Sequence, residues 1–179
     1  SATSTTEDTQ ETVLDVNSDD ITSFRYVYEG ETYAFEKEDE TWYYADDHSL
    51  NLNQDRIKAM ILKVAPLKAD QVIENVTDMS QYGLADPERT IQYETADRSV
   101  IINVGNLNSM TSQYYIAFPS EMKVYVVATN VVTGFNYTLD DLVEETTEAT
   151  ETAETETAET ETTEAVETVE TETAATGEN

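Results

Sequence analysis

The sequence has no cysteine, one histidine, three prolines and five glycines. Without cysteine there is no disulfide scaffold, no thiol nucleophile and no thiolate metal site. The single histidine, His48, excludes an ordinary zinc site, and any Ser-His-Asp triad would have to use it. It lies in "ADDHSLN", no Gly-x-Ser-x-Gly elbow occurs anywhere, and it reads as a solvated loop histidine. Glycine-rich phosphate loops are missing too; Gly105 in "VGNLNS" is a lone glycine that a turn explains. No apolar run reaches the roughly 18 residues that a membrane-spanning helix needs. Basic residues are scarce: nine stand against 38 acidic ones, for a net charge of −29. A chain this acidic repels nucleic acid and anionic lipid surfaces, so neither is expected as a partner.

The acidity is unevenly spread. Residues 144–179 hold thirteen Glu and thirteen Thr with no Lys, Arg, Asp or aromatic residue. Such a stretch cannot bury enough apolar surface to offset its ordering entropy, and it reads as a disordered Thr/Glu-rich tail. Residues 1–17 read as a second disordered acidic segment. The tail carries −13 and the leader −4, which leaves −12 on residues 18–143, the length of one ordinary domain. The chain starts "SATSTTEDT", without Met, which fits a processed N-terminus. A Ser/Thr-rich leader after a removed targeting segment suits an exported protein, of lipoprotein type, tethered through that removed end.

Within the domain, "ITSFRYVYEGETYAF" predicts a hairpin that turns at Glu29-Gly30, with Phe24, Tyr26 and Tyr28 alternating on one side. "KEDE" predicts a second turn and "TWYYA" a third strand carrying the only Trp. Asn53 is placed to cap a helix over 54–65, in which Ile57, Met60, Ile61 and Val64 form one apolar stripe before Pro66. "ADQVIENV" predicts a strand. Thr77 is placed to cap a short helical segment that closes at Gly83, and Pro87 prevents its continuation. Four strands follow, "TIQYET", "SVIINV", "QYYIAF" and "KVYVVA", then two short helical pieces broken near Gly134. The fold class is α+β, mainly antiparallel sheet with one principal helix, in two β-rich halves of related order.

Several of these pieces resemble a known family. The "YGL-x-x-P" corner at Tyr82–Pro87, the strand ending "INVG" at Gly105, "YYIAF…KVYVV", and Trp42 ahead of the helix together resemble the domain-of-unknown-function family 4340, over about Ile21 to Leu142. The resemblance implies a bacterial protein of the cell envelope, often beside ABC-type export or gliding components. It supplies no catalytic residues to carry over. Many members are longer and include a membrane anchor, and the Thr/Glu tail has no counterpart in the family pattern.

No catalytic, metal or cofactor residue is assigned from the sequence. "DDHSLNLNQD" spaces oxygen ligands loosely like a calcium loop, but it lacks the central Gly and the bidentate Glu. Tyrosine is abundant, with eleven against four Phe. Tyr43, Tyr115 and Tyr125 fall out of phase with the apolar face of their strands and form the candidate binding face. The competing reading has the principal helix cover and bury them. The expected function is an extracytoplasmic binding module of the envelope, associated with a transport complex, whose partner is a protein or a glycan. The alternatives are a carboxylate-based hydrolase of envelope polymers and a purely structural spacer.

Overall fold

The structure, a computed structural model, describes residues 10–144. The expected disorder of residues 1–9 and of the tail from 145 onward falls outside the described residues. The fold is α+β and mainly antiparallel. Strands β2 (Ile21–Tyr28), β3 (Glu31–Glu38) and β4 (Thr41–Tyr44) form one meander. Strands β7 (Arg89–Thr95), β8 (Ser99–Asn108), β9 (Gln113–Ala117) and β10 (Val124–Ala128) form a second. The two meanders join back to back through β2 and β7, and β6 (Gln71–Ile73) closes the far edge, giving the order β4-β3-β2-β7-β8-β9-β10-β6. The two expected halves are thus two parts of one sheet.

Local chemistry accounts for the first meander. Both of its turns have two central residues with positive φ, Glu29 and Gly30, then Asp39 and Glu40. That backbone matches the right-handed twist of antiparallel strands, so each turn is only two residues long. The Asp39-Glu40 turn fixes Glu38 opposite Thr41, and hence Lys37 opposite Trp42 and Glu36 opposite Tyr43. The outer edge of β4 is closed by a side chain. Trp42 N–H donates to Gln54 Oε1 at 2.8 Å, and Gln54 Nε2 donates back to the Trp42 carbonyl at 2.9 Å. A primary amide there takes the place of a further strand and blocks edge-to-edge pairing.

Helix α1 (Gln54–Ile61) begins at Asn53, whose side chain accepts from Arg56 N–H at 3.0 Å. It is shorter than the periodicity predicted, because Lys63 and Val64 N–H bond three residues back and tighten the chain ahead of Pro66. The stripe nevertheless holds: Ile57, Met60, Ile61 and Val64 are all buried on the sheet. Two short helices, α2 (Thr129–Thr133) and α3 (Leu139–Leu142), add Val131, Val132 and Leu142 to the same core. Beneath them lies an aromatic cluster. Phe24 stacks on Phe35 at 5.0 Å and meets Trp42 edge-on at 5.3 Å, while Phe135 sits edge-on to Tyr26 at 5.5 Å.

Two expectations need correction. The segment read as a leader over 1–17 contains strand β1 (Glu11–Leu14), which pairs with β5 (Leu67–Ala69), and Val16 behind it is buried in the core. The strand expected in "ADQVIENV" is β6, after Asp70, which pairs with β10; a further strand not expected from the sequence, β5, ends at Ala69 and pairs with β1. Asp70 fixes the switch, accepting from Gln10 at 2.9 Å and Gln113 at 2.8 Å.

The "YGL" corner is a tight 3-10 turn over Met79–Tyr82, capped by Asp78 rather than by Thr77. Asp78 accepts from Ser80 N–H and Oγ. Gly83 follows at φ +75, the left-handed conformation that glycine adopts without strain, and Leu84 N–H bonds back to Met79. The corner lies against β8. A Cβ on Gly105 would stand 2.3 Å from the Tyr82 carbonyl, and one on Gly83 would stand 2.3 Å from the Asn106 side chain. The two glycines of the family pattern are therefore the two sides of one close crossing.

Candidate functional site

Strand pairing settles where each candidate tyrosine stands. In antiparallel pairs the partners share a face, and successive residues alternate. Tyr43 pairs with Glu36, and that face continues through Ser23, Arg25, Gln92, Ile101 and Ala117 to Tyr115. Tyr125 pairs with Ile116 and belongs to the opposite face. The three tyrosines do not converge. Tyr43 and Tyr115 share a face but lie five strands apart, roughly 24 Å.

Their surroundings differ as well. Tyr125 is 7% exposed, sits edge-on to Phe118 at 5.1 Å, and donates to Glu121 at 2.8 Å. Burial, reinforced by that carboxylate, raises its pKa. With Phe118 and Arg98 it lines a groove of about 450 Å³ that Val13 and Leu14 complete. Tyr115 lies under the corner, edge-on to Tyr82 at 5.0 Å, beside a small core of Val76, Leu84, Ala117 and Val124. The predicted cover is therefore present, but over β9 and β10 it is the corner that supplies it, while α1 covers the other face. Tyr43 stands at the end of the sheet away from the corner, half-buried and stacked on His48 at 4.8 Å and 10°.

Around Tyr43 the face is open and polar. Ser23, Arg25, Ala34, Glu36, Gln92, Glu94 and Ser99 line a groove of about 210 Å³ across β3, β2, β7 and β8. Arg25 and Glu94 are exposed, Glu36 and Gln92 are half-buried, and Ile101 is 38% exposed alongside. Glu36 and Glu94 stand on either side of Ser23, each paired with it across one strand step.

At the rim of the groove, His48 Nε2 lies 2.5 Å from Glu36 Oε2, within hydrogen-bonding distance. Glu38 is close by: one ligand atom from each of Glu36, Glu38 and His48 lies within 4.8 Å of the others. Tyr43 and the strand pairing bring this cluster together. The His48 loop is shaped by Asp47, which accepts from Ser49 Oγ at 2.6 Å and Ser49 N–H at 3.0 Å. Those two bonds, the hydroxyl first, hold the Asp47 carboxyl below its ordinary pKa. Glu36 and Glu38 were missed because they lie twelve and ten residues before His48. The signal that could have found them is the two-residue turn at Asp39-Glu40, which sets Glu36 beside Tyr43.

Among the described residues no helix is long and apolar enough to cross a membrane. No curated protein and no solved structure matches the chain significantly. A family model does: that of the Domain of unknown function (DUF4340) matches residues 42–179, more than half of the chain, which therefore belongs to this family.

Proposed function

We propose that this chain is an extracytoplasmic binding module of a bacterial cell envelope, working beside a transport complex, and that the open part of its sheet is the contact face. The observation that carries the reading is the arrangement of Arg25, Ala34, Glu36, Tyr43, Gln92 and Ile101. These side chains stand on one face of five adjacent strands, exposed or half-buried. A guanidinium, amide and carboxylate groups, an aromatic ring and an aliphatic side chain on a rigid platform make the mixed surface that protein and glycan partners recognise. The envelope location rests on the family resemblance.

A photo-crosslinker at Gln92 in intact envelopes tests this. The expected result is one discrete adduct that an Arg25→Glu change abolishes, with none from a crosslinker at Leu62 on the far side of the sheet. Equal labelling at both positions would favour a spacer. Protection of the chain from protease in cells with a permeabilised outer surface would overturn the location.

The hydrolase is the second reading, favoured by Glu36 and Glu94 lining one groove. Their Cα atoms stand two strand spacings apart, roughly 10 Å. Release of soluble fragments from envelope polymers, lost in both Glu36→Gln and Glu94→Gln, would establish it over the binding module.

A further inference from the structure

The rim cluster has chemistry of its own and does not depend on the contact-face reading. We infer that Glu36, Glu38 and His48 form a binding site for a divalent transition-metal ion of the zinc type. Glu36 and Glu38 occupy alternate positions of β3, an inner strand of the sheet, so both carboxylates rise from the same face of a rigid support. Lys37 between them points the other way, with Nζ on the Asp19 carbonyl at 2.9 Å and over the Trp42 ring. The nearest cation in sequence is thus kept out of the cluster.

The third donor is positioned from outside the cluster. Tyr43 stacks flat on the His48 imidazole and fixes the plane in which its nitrogens lie. The donor atoms are already within 4.8 Å of one another. Zinc holds nitrogen and oxygen donors at about 2.0–2.2 Å, which places tetrahedral neighbours roughly 3.4 Å apart. The ion would replace the His48–Glu36 hydrogen bond, so that pair opens from 2.5 Å while Glu38 closes in; rotation of the half-buried Glu36 and the exposed Glu38 side chains supplies both movements. An imidazole with two carboxylates suits zinc-like ions, whereas calcium and magnesium take all-oxygen sets. The histidine is what separates this site from the many acidic pairs on the surface. Three protein donors with solvent-facing side chains leave the remaining coordination to water.

His48 is the only histidine, so its imidazole proton resonances report on the site in the full chain with no assignment needed. The titrant is Zn²⁺ alone, in buffer holding excess Ca²⁺ and Mg²⁺ to occupy the glutamate-rich sequence after Val143. The expected result is a shift of the imidazole resonances that saturates at one equivalent. The Glu36→Gln/Glu38→Gln double variant should weaken it by at least about tenfold. Unchanged amide spectra in that variant confirm that it folds. No shift at millimolar Zn²⁺, or the same affinity in the double variant, would overturn the site. Reversal of the shift by further Ca²⁺ would overturn its selectivity for transition metals and with it the assignment.

Discussion

On one face of the sheet, Phe24, Tyr26, Phe35, Trp42, Ile91, Tyr93 and Ile102 pack beneath α1 and α2, each 4% exposed or less. One residue along the same strands, the other face presents Ser23, Arg25, Ala34, Glu36, Gln92 and Ile101 to solvent or to a shallow groove. The corner at 79–84 covers that second face over the Gly105–Asn106 end of β8 and over β9 and β10. One sheet therefore does two jobs. Its inner face supplies stability, and the uncovered part of its outer face is free of that duty, so its side chains are available for contact. Substitutions on the two faces should separate along these lines.

The largest effect is expected at the centre of the inner face. Phe24→Ala removes a ring that contacts Phe35, Trp42 and Phe135. Truncating a buried aromatic costs about 3–5 kcal/mol. Denaturant titration of the full chain measures it, and a loss below about 1 kcal/mol would mean that the aromatic cluster is not the core of the fold.

Next comes the corner that covers the β8–β10 end of the outer face. At Gly105 a Cβ would meet a backbone carbonyl, which cannot swing away. Gly105→Val should cost about 1–3 kcal/mol by overpacking. Gly83→Val meets a movable Asn106 side chain but also the left-handed φ, worth about 1–2 kcal/mol. Both changes push apart the same crossing, so the double variant should lose less than the sum of the singles. Strict additivity would show that the two glycines act independently.

How much of this was legible in the sequence follows from how local each determinant is. The Glu29-Gly30 turn, the Asn53 cap, the α1 stripe and the Gly83 corner are set within a few residues, and each was readable. β1 was not, because "ETVL" is a short run whose only support is a strand more than fifty residues away. That strand, β5, was hidden for the same reason. β10 misled in another way. Val124, Tyr125, Val126 and Val127 are all buried, since the corner covers one side and the main core the other. Alternation carries no information about face in a strand buried on both sides, which is why Tyr125 was placed with Tyr43.

Smaller than the corner effect is a pH dependence confined to the inner face. Burial pushes the Tyr93 phenol up to about 12 from an ordinary 10, with Arg98 opposing, and burial raises Tyr26 as well. Their hydroxyls donate to the carbonyls of Val64 and Tyr137. A folded-state pKa above the unfolded one means that the native chain keeps protons which the unfolded chain releases above pH 10. The contribution to stability is complete below pH 10 and is lost as pH climbs towards 12. Unfolding free energies between pH 9 and 12 should therefore fall, and fall less steeply in Tyr93→Phe. Parallel profiles for the two chains would remove Tyr93 from this account.

The smallest effect on stability is expected where the proposed contact is. Gln92→Ala and Ile101→Ser change side chains that end in the groove or beside it, and neither removes a group from the buried core. Surface changes of this kind usually stay within about 0.5 kcal/mol. Gln92 Nε2 does donate one local bond, to the Thr90 hydroxyl at 3.3 Å, but both groups are reachable by water, so its loss is compensated. The same two changes should weaken partner capture in intact envelopes, because a contact face depends on the side chains that the fold does not need. Measuring both quantities on one pair of variants tests the division directly. If stability drops by more than about 2 kcal/mol while capture is unaffected, the outer face is structural and the two faces do not differ in role.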